Sequence, residues 1–247
     1  MISILVPSIR PYKWMDLYNS AKSVTNHEFE MVFVGPNDLD NKPLNMRFFQ
    51  DYGSPSRCQQ IALIKCVGDL VLHCSDDGVF LPNVLDEAVE LSKNYDIVVG
   101  KYYEGDPSGD SIHIDNEYYR INHHKGARSS NIPDNYLIFN TGLIKKELAI
   151  EIGGWDTIFE ACPISHLDMG IRAQRYGAKT ILQQSVMFRC SYTPGNQGDH
   201  GPIHYAQTEH DEPLFRSIYS DPNCVNRIKI DINNWKNSPE RWVRRFG

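Results

Sequence analysis

An apolar run, Leu70-Val71-Leu72, is followed almost at once by two adjacent acids, Asp76 and Asp77, and then by Gly78. Such a run reads as a buried strand, and open α/β sheets collect their ligands at the carboxyl ends of buried strands. Two neighbouring carboxylates there repel each other unless a cation sits between them. Asp-Asp-Gly is also good turn chemistry by itself, so the surrounding pattern has to decide.

That pattern repeats. Met1 to Val6 is an aliphatic run closed by Pro7-Ser8, and Glu28 to Val34 is a second strand broken by Gly35-Pro36-Asn37-Asp38. Helical spacing is read over Trp14 to Val24, Ser56 to Val67 and Asn83 to Lys93, and Ile97-Val98-Val99 is a further buried strand. Strands alternating with helices predict a mostly parallel sheet with a nucleotide-type crevice. After Gly100 the texture changes to a Tyr-, Asp-, His- and Asn-rich stretch over 101–135, where Ser111 to Asp115 alternates like a strand or hairpin. Beyond it we expect a strand at Leu137 to Phe139, a helix from Leu143 to Ile152, a helix from His166 to Tyr176, a return strand at Lys179 to Gln183, and a mobile loop from Ser191 to Tyr205.

Composition bounds the function. At 247 residues, 41% hydrophobic and 23% charged, the chain fits one large α/β domain or two fused halves. A net charge of -6 makes a nucleic-acid partner unexpected. Arg241, Arg244 and Arg245, beside Trp242, read as an exposed amphipathic end. Six scattered cysteines without a Cys-x-x-Cys point to a reducing, cytoplasmic setting. Ile2 to Val6 is too short for a signal peptide, and no stretch has the length of a membrane span.

Four passages in order resemble the GT-A-fold nucleotide-sugar glycosyltransferases, family 2 in particular. They are Ser3-Ile4-Leu5-Val6-Pro7-Ser8; Arg57 followed by a helix, Gly68-Asp69 and the acidic pair; Pro82 after that pair; and Gly153-Gly154-Trp155-Asp156 followed by Asp168, Arg172 and Gly177. The resemblance spans about residues 2 to 190. It implies a GT-A-like single α/β domain with a mostly parallel central sheet flanked by helices. A Rossmann-like donor half would cover 1–100, a smaller acceptor half 101–190, and a closing loop and tail 191–247. It also implies transfer of a sugar from a UDP- or GDP-sugar to an acceptor hydroxyl, aided by Mn²⁺ or Mg²⁺ and proceeding with inversion.

Counting back from Pro82, Asp77 falls on the last acid of the family's Asp-x-Asp, Asp76 on its middle position and Ser75 on its first. Asp77 is therefore expected on the metal, with His200 (or His204) from a later loop, and Asp76 on the sugar or ribose. Counting back from Arg172 leaves the catalytic base open between Asp168 and His166, since Ser165-x-x-Asp168 also reads as a helix capping box. Pro7, Ser8 and Arg10 resemble the family's base-binding loop, Asn37 or Asp38 would meet the nucleobase, and Arg57 the diphosphate. Trp155 would stack on a sugar and Asp156 bind a hydroxyl. Two rivals stand beside this reading: a sugar nucleotidyltransferase, whose glycine- and lysine-rich loop Pro7-Ser8-Ile9-Arg10-Pro11 lacks, and a catalytically silent nucleotide-sugar-binding module.

Overall fold

The computed structural model describes residues 1–104, 113–114, 132, 136–190 and 198–247. The first half alternates as its sequence dictates: β1 (Ile2–Pro7), α1 (Trp14–Val24), β2 (Phe29–Gly35), β3 (Met46–Gln50), α2 (Pro55–Lys65), β4 (Leu70–His73), β5 (Gly78–Phe80) and α3 (Val84–Ser92). The second half contributes β6 (Ile97–Glu104), β7 (His113–Ile114), β8 (Gly142–Lys145), α4 (Lys146–Glu151), α5 (Cys162–Tyr176) and β9 (Thr180–Cys190). Three further helices follow, α6 (Gly201–Ala206), α7 (Glu212–Ser220) and α8 (Val243–Phe246).

One sheet runs in the order β3-β2-β1-β4-β8-β6-β9-β5, with β7 paired to β6. β3, β2, β1 and β4 are mutually parallel, and β6 and β9 are parallel to each other. β8 lies antiparallel between β4 and β6, so the sheet stays mostly parallel. Covered on both faces, its strands need apolar residues at every position. Ile4 and Val6 of β1, with Phe33 of β2, pack against Trp14 and Leu17 of α1 and Val84 and Leu85 of α3. Leu5, Val32 and Val34 point the other way, into a second core with Ile61 and Leu63 of α2 and Met169 and Ala173 of α5. A third apolar cluster ties α5 to α7 through Leu167, Ile171, Phe215 and Tyr219.

Several expectations are corrected. Leu143 and Ile144 begin no helix; they pair with β4 and β6, because the open side of β4 needs a partner strand and a short apolar run carries no decisive period. The expected strand at Leu137 to Phe139 reduces to an isolated bridge at Leu137. α5 starts at Cys162 rather than His166, with Ala161 as its N-cap, so Ser165 and Asp168 lie inside the helix and form no capping box. Residues 198–220 are helical, including most of the stretch expected as a loop, while 191–197 fall outside the described residues, as does most of the 101–135 stretch. Trp242 is buried, and its backbone N–H donates to the Tyr52 carbonyl at 2.8 Å, so the amphipathic end is docked rather than exposed.

Candidate active site

A cavity of about 360 Å³ opens where β1, β2 and β4 end. Its walls come from Pro7 to Arg10 after β1, Gly35-Pro36 after β2 and His73 to Asp77 after β4. The first turn of α5, His200 to His204 around the start of α6, and Arg245-Phe246 of α8 close it. The close approach of the β1 and β2 ends needs glycine: a Cβ on Gly35 would stand 1.8 Å from the Ser8 carbonyl oxygen.

The two acids sit in the turn between β4 and β5, and Arg10 is the cation between them. Its NH2 lies 2.8 Å from Asp76 Oδ1 and its NH1 3.1 Å from Asp77 Oδ2, with Nε 3.6 Å from Asp199 Oδ2. Asp76 Oδ2 also accepts from Ser8 Oγ at 2.7 Å and from the backbone N–H groups of Ile9 and Arg10 at 3.1 and 3.0 Å. Trp14 Nε1 fixes the Ser8 hydroxyl at 2.6 Å. Burial raises the Asp76 pKa above 3.8 against the pull of Arg10 and Ser8. Burial works to lower that of Arg10, but Asp76, Asp77 and Asp199 outweigh it and leave it raised. Turn and site are thus the same feature.

Asp77 and His200 are side chains here that could hold a divalent ion, although Asp77 Oδ2 already meets Arg10 and its Oδ1 accepts from Ser75. Asp77 Oδ2 and His200 Nε2 lie 3.9 Å apart at the cavity wall, while Asp76 is engaged by Arg10, Ser8 and backbone donors. Hard cations that bind nucleotides commonly take one or two protein ligands and complete their shell with phosphate and water. No cluster of three or more His, Cys, Asp or Glu side chains able to hold a metal occurs among the described residues.

The remaining candidates divide. Pro7, Ser8, Arg10, Asp76, Asp77, His200, His204 and His166 all line the cavity. His166 packs at 4.1 Å, centroid to centroid, on His73, and burial drives its pKa well below 6.5, with His73 adding to the effect. Asp168 is elsewhere and takes no part in the cavity wall. It is fully buried and pairs with Arg172 Nε at 2.7 Å and Arg227 Nε at 3.0 Å, and it accepts from Tyr219 Oη at 2.8 Å. Burial acts to raise its pKa, yet Arg172 and Arg227 overcome this and hold it below 3.8. Buried behind these three partners, the carboxylate is held away from the cavity.

Arg57 also turns away from the cavity. Its guanidinium grips Asp51 (Nε–Oδ1 3.0 Å) and the backbone carbonyls of Ser238 (2.9 Å) and Trp235. Asp38 is exposed and pairs with Lys42 at 2.6 Å, and Asn37 is exposed as well. Trp155 is core, and Asp156 pairs with Arg227. Cavity residues that sequence reading passed over include Gln59, His73, Asp199 and Arg245. Only Arg245 carried a usable signal, the Trp-x-x-Arg spacing that places it beside Trp242 on a short helix.

The chain shares its fold with solved structures of a glycosyltransferase. Among solved structures, the chain is similar to TarS of S. aureus, a glycosyltransferase, at 15% identity and a TM-score of 0.58 over 92% of this chain and 43% of that one. Residues 1–349 of TarS superpose with a TM-score of 0.60 at 14% identity, covering 95% and 71% of the two chains. A complex of the same TarS fragment with UDP-GlcNAc gives 0.55 at 17% identity, covering 81% and 60%, and a complex with UDP has also been solved. The chain therefore spans less than half of the longer TarS chain. No family model and no curated protein sequence matches. Among the described residues, no helix is long and apolar enough to cross a membrane.

Proposed function

We propose that the protein transfers a sugar from a nucleotide sugar to an acceptor hydroxyl. The observation that carries this reading is the Arg10–Asp76–Asp77 cluster in a cavity at the carboxyl edge of the sheet, on a fold shared with a protein crystallised with UDP and UDP-GlcNAc. Those complexes favour a UDP-sugar over a GDP-sugar. In this reading residues 1–100 carry the donor, 101–190 meet the acceptor and 191–247 close the site.

Pro7, Ser8 and Arg10 line the nucleotide end, and Arg10 shifts part of its charge from the acids to the diphosphate when the donor enters. Asp77 and His200 would hold Mn²⁺ or Mg²⁺, which supplies positive charge against the departing diphosphate. Of the two candidate bases only His166 reaches the cavity. Burial keeps its ring neutral, so a ring nitrogen keeps a lone pair for the acceptor's proton, while the same burial weakens it as a base. A single displacement with one base inverts the anomeric centre. A cytoplasmic setting belongs to this reading.

The hold of Arg10 on both carboxylates also favours a second reading, a module that binds nucleotide sugars without turning them over. Incubation with UDP- and GDP-sugars, with and without Mn²⁺, separates the two. Metal-stimulated release of free nucleotide supports the transferase. A rise in melting temperature without release supports the silent module, and neither response rejects both.

A further inference from the structure

Gln59 leaves both polar atoms of its side chain buried and without a hydrogen-bond partner, the buried rings of His73 and His166 make no well-formed hydrogen bond beyond loose approaches to the backbone of Phe139 and Asn140, and all three line the cavity. Buried polar groups in folded proteins are nearly always well paired, so three poorly satisfied side chains in one place call for a cause. The neighbouring glutamine shows the contrast. Gln60, next along α2, donates to the carbonyls of Gly153 and Ile232 at 3.0 and 2.8 Å and accepts from the Trp155 N–H at 2.8 Å.

These groups share one floor. His73 ends β4, His166 lies on α5, and their rings meet at 4.1 Å. Trp155 stands 5.5 Å from His73 and 5.9 Å from His166, its own indole N–H also unpartnered. Gln59 is one helical turn beyond Ser56, whose hydroxyl meets that of Ser165, the residue before His166, at 2.9 Å. Burial holds His73 down to about 4 and His166 lower than its ordinary value, so both rings are neutral. A neutral imidazole offers one donor and one acceptor, and a carboxamide offers both kinds. Sugar hydroxyls, each donor and acceptor at once, complement such a set.

We propose that Gln59, His73 and His166 form a subsite for the hydroxyl-bearing ring of the donor sugar, and that Gln59 and His73 determine which sugar is accepted. The inference rests on the nucleotide-sugar reading above. Its test is calorimetric titration of the full chain and of Gln59→Leu and His73→Phe with UDP and GDP, alone and as glucose, N-acetylglucosamine and mannose conjugates. Melting temperatures without ligand check the fold, and Gln59→Met and His73→Leu replace any variant that fails to fold.

At least one conjugate should bind the wild type about tenfold more tightly than its bare nucleotide. Each variant should lose most of that increment while its affinity for the bare nucleotide moves less than about twofold. Without ligand the variants should melt at or above the wild-type temperature, because an apolar group replaces a poorly paired polar one. An increment that survives in both variants, or none in the wild type, overturns the inference and leaves nucleotide binding intact. Failure of every nucleotide and conjugate to bind overturns the underlying reading along with it.

Discussion

Arg10 is the residue on which the cavity's electrostatics turn. Asp76 is almost wholly buried, and removing the partner of a buried charge costs far more than the pair itself contributes. Replacing Arg10 by Met should therefore destabilise the fold by about 3 kcal/mol at neutral pH, read from urea midpoints. The sign of the pH effect follows from Asp76. Its folded pKa is raised above the ordinary 3.8, so the stability it provides is present below 3.8 and lost as pH rises through the folded value. Without Arg10 that folded value climbs further and the loss grows. The deficit of Arg10→Met should accordingly shrink as pH falls towards 4, and a constant deficit would contradict this account. The acids were legible because they directly follow an apolar strand. Their partner was not singled out for this role, since Arg10 and Asp76 are 66 residues apart and meet only through the pairing of β1 with β4.

At the scale of the element, α5 is a strut rather than the carrier of two catalytic groups. Gly153 and Gly154 precede it at φ 88° and 71°, and a Cβ on Gly154 would stand 2.2 Å from Gln60 Oε1. Arg172 reaches back to that turn, donating to the carbonyls of Ile152 (2.8 Å) and Gly154, and Asp168 binds Arg172 and Arg227 together. Asp168→Asn should cost about 3 kcal/mol and leave nucleotide affinity within about twofold. Asp168's folded pKa is depressed, so its contribution is present above 3.8 and is lost as pH falls through the lower folded value. Acid unfolding of the Asn variant should consequently be shallower than that of the wild type, as circular dichroism at pH 2–5 would show. A loss of turnover at unchanged stability would instead return Asp168 to the base role.

Across the whole molecule, residues 227–246 wrap α2 and carry part of the cavity wall. Ile230 N–H donates to Ile152 O at 3.2 Å, Arg57 holds the carbonyls of Trp235 and Ser238, and the Arg245 NH2 group donates to the Asp199 carbonyl. Arg57→Met should free this segment, destabilise by about 2 kcal/mol, expose 227–240 to limited proteolysis, and weaken nucleotide binding by roughly tenfold as Arg245 and Phe246 shift. Proteolysis unchanged from the wild type would show that the wrap holds without Arg57. The resemblance puts Arg57 on the diphosphate, and the pattern of α2 does not overrule it. Ser56 to Leu63 are buried without a break, so no periodic pattern distinguishes the side towards the cavity from the side under the wrap.

The sequence by itself determined the strands β1, β2, β4 and β6, the helices α1, α2 and α3, and the placing of two acids at a sheet's carboxyl rim. Local apolar period and turn chemistry act over a few residues and are written in order along the chain. Tertiary structure decided that Leu143-Ile144 became a strand, that Asp168 became an ion-pair hub, and that Arg10 rather than Arg57 faces the cavity. Each of these depends on a partner far along the chain. Whether a charge is paired and buried or free to meet a ligand depends on which distant groups surround it, and local sequence pattern does not record that.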